Sequence, residues 1–501
     1  MIIAKDLGVR RPDGFSLSGL SFTLTPGQHL IITGPSGAGK TTLAEALAGK
    51  LFVTGELSVT PQPSSGDAEE MSVQLVHQRY QIKNRSNTVD GYYQQRYNST
   101  ENEDAYTVME ELQAVLNDPD KINRLLRELS IGYLAGKTLL KLSSGEHKRF
   151  QLVKMLLKPA RLVILDEPFV GLDVSSRAKL NDILVTVATQ GTQFIIIAGA
   201  TAHFPKVATH VLELQSGIGT HFGPISGYNP GFEPTVHRYS LDALQLDKVA
   251  LNYEIAVRLV NTTVRYGDRT ILSQINWTVG RGEKWLLKGP NGAGKSTLLS
   301  LIYGDNPQAY ANEIYLFDRR RGSGESIWDI KKNMGFVSPE LHAFFDKNLS
   351  CFQAVASGYF DTMGLYRVLS SEQTAQVQTW LKILGLENIA DKRLSTISTG
   401  MQRLIMLVRA FIKRPAMLIL DEPCQGLDQW QTASFVKLVE DYGARTGAAL
   451  IYISHYSDEI PEGIDHVMEL RPGNYRIYGS KNKTENQQLK NKEQSHNLIT
   501  N

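Results

Sequence analysis

The sequence predicts an α/β fold in two tandem copies, each built on a mainly parallel core sheet. Three observations carry this. Landmark residues recur at one fixed offset: Lys40 and Lys295, Asp166 and Asp421, Asp173 and Asp428, and Gly145 and Gly400 are each 255 residues apart. Apolar runs of five to seven residues alternate with helical stretches, the pattern of buried parallel strands joined by helices. A glycine-rich stretch of the form G-x-x-x-x-G-K-[ST] lies between such a run and a helix in both copies. The loops between the landmarks differ, so the chain reads as the duplication of a domain of roughly 220 residues.

In chain order, copy one is placed at 1–225 and copy two at 255–480. The joint at 226–254 follows a Gly/Pro-rich stretch and reads as linker. The tail at 481–501 is polar and reads as disordered. "HLIIT" is a strand and "GKTTLAEALAG" a helix ending near Gly49; "KWLLK" and "GKSTLLSLIYG" repeat the pair. "LVILDEP" and "MLILDEP" are apolar strands that end in Asp-Glu, and "FIIIAG" and "LIYISH" are the strands that follow them.

Composition bounds the function. Apolar residues make up 42% and charged residues 21% of the chain, ordinary for a globular protein. A net charge of +2 argues against coating nucleic acid. Two cysteines, Cys351 and Cys424, are too few for a cysteine zinc or iron–sulfur site or a disulfide framework, so a reducing, cytoplasmic setting is expected. No signal peptide is read at the N-terminus, and no run reaches the ~20 apolar residues of a membrane helix.

The glycine-rich stretches are phosphate-binding loops. Their glycines let backbone N–H groups turn inward on phosphate oxygens, and the helix N-terminus adds partial positive charge. The nucleotide-binding candidates are Gly34, Ser36, Gly37, Gly39, Lys40, Thr41 and Thr42 in copy one, and Gly289, Asn291, Gly292, Gly294, Lys295, Ser296 and Thr297 in copy two. Lys40 and Lys295 are expected on the β- and γ-phosphates of ATP, and Thr41 and Ser296 on Mg²⁺. A strand does not end in two carboxylates to stabilise itself, because burying unpaired charge is costly. Asp166 and Asp421 are therefore read as supporting Mg²⁺, and Glu167 and Glu422 as polarising the attacking water.

"LSSGEHKR" and "ISTGMQRL" each precede an acidic strand by about twenty residues. Alone, each reads as a Ser/Thr helix cap followed by glycine. Beside the phosphate loops, the Asp-Glu strands and the following "GLD", each resembles the signature of ATP-binding cassette (ABC) ATPases, and the resemblance covers nearly the whole chain. More narrowly, "GDNPQAY", "FDRRRGSGESIWDIKK", "GFVSPELH" and "YYQQRYNS" resemble the ModF group of tandem ABC ATPases. The resemblance implies two nucleotide-binding domains, each with a core sheet, an antiparallel β subdomain and a helical subdomain. It also implies a pseudo-dimer within one chain, in which each ATP lies between the phosphate loop of one copy and the signature of the other. Site one then joins Lys40, Thr41, Asp166 and Glu167 with Ser398 and Gly400. Site two joins Lys295, Ser296, Asp421 and Glu422 with Ser143, Gly145 and Glu146.

The family places a switch histidine just after the strand that follows Asp-Glu. His455 fits in copy two; copy one has Gly199 or Ala200 there, and His203 lies too late and reads as a surface residue. The aromatic expected to stack on adenine, 29 residues before the loop lysine, is Tyr266 in copy two and Arg11 in copy one. Signature two ends in Met401. The glutamine lid of the family is Gln78 in copy one, whereas copy two has Pro339 followed by Glu340. Site two is thus expected to turn over ATP, and site one to bind it and turn over slowly.

Lys83 to Tyr106 follows the lid; Tyr92, Tyr93 and Tyr97 read as partner contacts or as packing within their own domain. Arg319, Arg320 and Arg321 read as a solvated hairpin or an anion contact, and Cys424 as a spectator. The resemblance implies an energy-coupling ATPase docked on a separate permease, for an oxyanion such as molybdate. The alternatives are a soluble switch on ribosomes or nucleic acid, and a regulatory module with little turnover. The short, weakly basic joint argues against the first alternative, and two intact Asp-Glu pairs against the second.

Overall fold

The computed structural model describes the chain apart from residues 12–15, 61–72, 78–105, 130, 140–141, 143, 158–159, 200–203, 231–235, 245, 247–252, 268 and 480–501. Gln78, Ser143, Ala200, His203, Tyr92, Tyr93, Tyr97 and the polar tail therefore lie outside the described residues. Two compact units are present. Unit one comprises Met1–Thr235 with Ser398–Met401 and Gln425–Gln431; unit two comprises Val236–Ile397, Gln402–Cys424 and Thr432–Asn501.

In unit one the chain runs β1 (Ile2–Arg10), β2 (Ser16–Leu24), β3 (Leu30–Thr33), α1 (Lys40–Leu47), β4 (Val53–Val59) and β5 (Val73–Val76). It continues through α2 (Val108–Val115), α3 (Pro119–Glu128), α4 (Ser144–Leu157), β6 (Leu162–Asp166), α5 (Val174–Thr189), β7 (Gln193–Ile197), β8 (His210–Gln215) and β9 (Ile218–Pro224). The core sheet has the order β5-β6-β7-β3-β8-β9, parallel except for the antiparallel edge pair β8/β9. Its central strands β3 and β6 are buried along their whole length, which is why they read as unbroken apolar runs. A separate antiparallel sheet, β2-β1-β4, packs one face over α1 and β3 through Leu7, Leu20, Leu43 and Ile32. The helical segment α2–α3–α4 shares one apolar cluster with the other face of the core sheet, where Leu112, Ile122, Leu126 and Leu152 are fully buried together with Val163, Leu165 and Ile196. Its entry is a capping box, Thr107 with Glu110, and α3 begins on Asp118-Pro119, an N-cap with proline in the first turn.

Unit two repeats this plan. It runs β10 (Ile255–Tyr266), β11 (Arg269–Gly280), β12 (Lys284–Lys288), α6 (Lys295–Tyr303), β13 (Glu313–Leu316), β14 (Arg319–Arg320), α7 (Ile327–Lys331), β15 (Met334–Val337) and α8 (Pro339–Phe344). Then come α9 (Cys351–Ala356), α10 (Ser371–Ile383), α11 (Thr399–Phe411), β16 (Met417–Asp421), α12 (Gln429–Thr446), β17 (Ala449–Ile453), β18 (His466–Arg471) and β19 (Asn474–Gly479); the first turns of α11 and α12 belong to unit one. The core order β15-β16-β17-β12-β18-β19 matches unit one strand for strand, beside an antiparallel sheet β11-β10-β13-β14. Each copy is thus an α/β domain with a mainly parallel core sheet, an antiparallel β subdomain and a helical subdomain. The solvated-hairpin reading holds for Arg319 and Arg320, which are exposed. It fails for Arg321, which is buried and paired with Glu325 at 3.1 Å.

Candidate functional site

In both core sheets the strand feeding the phosphate loop (β3 or β12) neighbours the strand that follows Asp-Glu (β7 or β17), which in turn neighbours the acidic strand. Parallel pairing brings the carboxyl ends of all three strands to one edge, the usual ligand edge of such sheets. Glycine is required at the loop start: a Cβ on Gly34 would lie 2.0 Å from the Leu214 carbonyl oxygen, and one on Gly289 would lie 2.4 Å from that of Leu470. Gly39 and Gly294 are the N-caps of α1 and α6, in left-handed backbone, and offer no side chain to the first-turn N–H groups. Those donors suit an anion.

The loop lysines fold back onto their own loops. Lys40 Nζ donates to the Gly34 and Pro35 carbonyls at 2.7 and 2.9 Å, and Lys295 Nζ to those of Gly289 and Pro290 at 2.7 and 3.2 Å. Burial lowers the Lys40 pKa, partly offset by Glu167, Asp428 and Asp166. Thr41 Oγ1 donates to Asp166 Oδ2 at 3.2 Å. A hydroxyl and a carboxylate in contact form a hard-oxygen set of the kind Mg²⁺ takes, and Ser296 and Asp421 stand at the equivalent positions. Burial raises both Asp166 and Asp421; around Asp421 the nearby Glu340 and Glu422 add to the rise.

The two glutamates share one unusual backbone. Glu167 has φ 50° and Glu422 φ 43°, a left-handed conformation uncommon outside glycine. Strain of this kind persists where function holds it. Their surroundings differ. His455 Nε2 lies 3.3 Å from Glu422 Oε1 and 3.5 Å from Lys295 Nζ. The carboxylate can only accept, so His455 is the donor to it. Burial pushes the Glu422 carboxyl up, but His455, Lys295 and Arg403 outweigh burial and the net shift is downward. For Glu167, burial dominates and the pKa is pushed up to about 7.

Strand register settles which residue stands in the histidine's place. Ile197 pairs with Asp166 and Ile453 pairs with Asp421, so the second residue onward is Gly199 in copy one and His455 in copy two. The remaining differences are local. Tyr266 is 48% exposed, presenting a face that can stack, and its hydroxyl accepts from Asn306 Nδ2 at 3.0 Å. Arg11 is instead tied to α1, its Nη1 3.3 Å from Thr42 Oγ1 and 3.4 Å from Glu45 Oε2. Pro339 opens α8, capped by buried Ser338, and puts Glu340 in the first turn.

Within unit one, the Ser36 backbone N–H donates to Asp428 Oδ2 at 2.9 Å, and a Cβ on Gly37 would lie 3.8 Å from Ser398 Cβ. Ser398 Oγ also accepts the Met401 N–H at 3.3 Å. Gly145 and Glu146 lie buried in the first turn of α4. Gly400 is buried beside the Gln431 side chain.

Sequence reasoning missed Lys148, which is buried with Nζ 3.3 Å from the Asp166 carbonyl oxygen and is lowered by burial to about 8. The 255-residue offset pairs Lys148 with Arg403, the cation near Glu422, and could have found both.

Comparison with known proteins agrees with this geometry. The family described as ABC transporter matches residues 17–170 and 272–425. The chain is 35% identical over 468 residues to ABC transporter ATP-binding protein ModF of Escherichia coli (strain K12), across 91% of this chain and 94% of that protein. It is 31% identical over 481 residues to an uncharacterized ABC transporter ATP-binding protein of Schizosaccharomyces pombe, across 92% and 95%. Among solved structures, RNase-L Inhibitor superposes with a TM-score of 0.55 at 18% identity, over 95% of this chain and 91% of that one, a likeness of fold. Among the described residues no helix is long and apolar enough to cross a membrane. Two matched domains and similarity across more than nine-tenths of both chains show that this chain belongs to the ABC transporter family, as a tandem ATP-binding protein with ABC-type ATPase activity.

Proposed function

We propose that the chain binds ATP at two composite sites, hydrolyses it mainly at site two, and couples that hydrolysis to a separate membrane permease. Each site pairs the phosphate loop of one copy with the signature of the other, as assigned above from the resemblance. The grouping of Ser398–Met401 and Gln425–Gln431 with the first copy in unit one supports this pairing. Thr41 with Asp166, and Ser296 with Asp421, would hold Mg²⁺, which supplies positive charge to the phosphate oxygens. Lys40 and Lys295 then leave their loop carbonyls for phosphate, and Glu167 or Glu422 accepts a hydrogen bond from the attacking water.

One observation carries the inequality: His455 fixes Glu422, whereas glycine stands beside Glu167. Steady-state ATPase tests it. Glu422→Gln should remove most turnover, and Glu167→Gln much less; Lys295→Ala should likewise cost more than Lys40→Ala. Equal losses, or a larger loss in Glu167→Gln, would overturn the asymmetry.

The permease reading is supported by the full-length relative described as an ABC transporter ATP-binding protein. The ModF resemblance makes an oxyanion such as molybdate the first solute to test. Tagged chain, captured from membrane and cytosolic fractions in the presence and absence of ATP, should bring down an integral membrane protein. Recovery of ribosomes or nucleic acid alone, with no membrane protein, would reject the permease partner.

A further inference from the structure

Glu146 stands where the family signature usually has glutamine, and the same position in copy two is the apolar Met401. It lies in the first turn of α4 and is 5% exposed. A buried carboxylate there is a problem for a phosphate site. The N-terminal end of a helix attracts anions, and an unpaired Glu146 would both occupy that potential and repel an arriving triphosphate. The surroundings answer it. Tyr133 donates its hydroxyl to Glu146 Oε1 at 2.8 Å, and Lys137 Nζ donates to Oε2 at 3.2 Å. Each carboxylate oxygen thus has its own donor, which fixes the plane of the group, and the lysine cancels its charge. Both donors come from the short turn region that precedes the signature, with Tyr133 in the 3₁₀ turn Gly132–Leu134.

We infer that Lys137 and Tyr133 are positioning residues for ATP at site two, holding and neutralising Glu146 so that the first turn of α4 can receive the triphosphate. The inference rests on the composite reading of site two. It gives Glu146 the role of a tethered group whose charge is cancelled before nucleotide binds. Met401 requires no such partner, so the device belongs to the copy-one signature alone.

The test uses the full chain carrying Lys40→Ala, which leaves the copy-two phosphate loop as the competent one. Affinity for a fluorescent ATP analogue is measured over a range of salt, with thermal melting of the nucleotide-free chain alongside. Lys137→Met should weaken binding roughly fivefold and with little dependence on salt, because the Glu146 charge it leaves uncancelled is buried and poorly screened. Glu146→Gln added to Lys137→Met should restore it, and Lys137→Arg should retain it. Tyr133→Phe should weaken binding less than Lys137→Met.

A loss in Lys137→Met that Glu146→Gln fails to restore would overturn the inference. So would a loss that tracks the drop in melting temperature across the variants. If Ser143→Arg abolishes binding while Lys137→Met does not change it, the inference fails and the composite site stands. If Ser143→Arg has no effect either, the composite reading itself fails.

Discussion

Glu167 and Glu422 end equivalent strands in the same left-handed backbone, yet one carboxyl is raised to about 7 and the other is lowered. Burial is common to both, so the partner decides. Gly199 does not occupy the left-handed region, and a Cβ added there would lie 3.4 Å from Glu167 Oε1, an ordinary contact. The same Cβ would lie 3.9 Å from the Leu427 carbonyl oxygen and 4.0 Å from Asp428 Cα, so a Cβ fits there without strain in the backbone. In a chain carrying Glu422→Gln, where site one supplies the turnover, Gly199→His should raise ATPase several-fold. Unchanged turnover would mean that the missing histidine is not what slows site one. The sequence showed that a histidine was absent but left Gly199 and Ala200 as alternatives, because a gap in a loop has no fixed place. Strand pairing has a fixed period, and it selects Gly199. The left-handed glutamates were not legible at all, since nothing in "DEP" announces a positive φ.

Among the elements, α11 opens on the signature-like stretch "ISTGMQRL" and ends in a buried charge network. Arg409 Nε donates to Ser357 Oγ at 3.0 Å and its Nη2 to the Thr362 carbonyl at 3.1 Å. Just past the helix, Lys413 donates to the Lys331 carbonyl at 2.6 Å and pairs with Asp361, both side chains 7% exposed. This network joins α11 to α7 and to the turn after α9, so it holds the helical subdomain to the core. Asp361→Asn leaves a buried cation without its counter-charge and should cost about 3 kcal/mol of stability, read as a lower melting temperature. The pH dependence has a definite sign. Burial lowers Lys413 to about 8, against the ordinary lysine value of 10.5, while Asp361 opposes the shift. Between those values the unfolded chain holds the proton and the fold does not. The contribution of Lys413 to stability therefore rises with pH across that window. Lys413→Gln should lack this rise; an identical pH profile in the variant would refute the assignment. Strand and helix junctions at the phosphate loops were legible because the motifs sit on them. The network was not, because Lys413 and Asp361 lie 52 residues apart and neither belongs to a periodic pattern.

At the scale of the molecule, the 255-residue offset announced two copies, and the matching strand orders of the two core sheets bear it out. Duplication explains why the parts are shared, and divergence explains why the sites are unequal. Copy two keeps Tyr266 and His455 but has Glu340 beside Asp421; copy one has Arg11 and Gly199. What the sequence could not weigh was whether these departures offset each other. The structure bears on that balance through electrostatics. Glu340 adds to the upward shift of Asp421, whereas the histidine that stands beside Glu422 is absent beside Glu167, the glutamate proposed to polarise water at site one. The second defect should be the more costly for hydrolysis and the first for metal affinity. Two readouts therefore separate the sites. Chain loaded with radiolabelled ATP and Mg²⁺, then passed rapidly over a desalting column, should retain about one unhydrolysed nucleotide per chain, held at site one. Lys40→Ala should abolish this retained ATP and Lys295→Ala should not. Glu340→Gln should lower the Mg²⁺ concentration needed for half-maximal turnover, because it removes a negative neighbour that adds to the upward shift of the Asp421 carboxyl. Retention of ATP that depends on Lys295 instead would reverse the roles of the two sites.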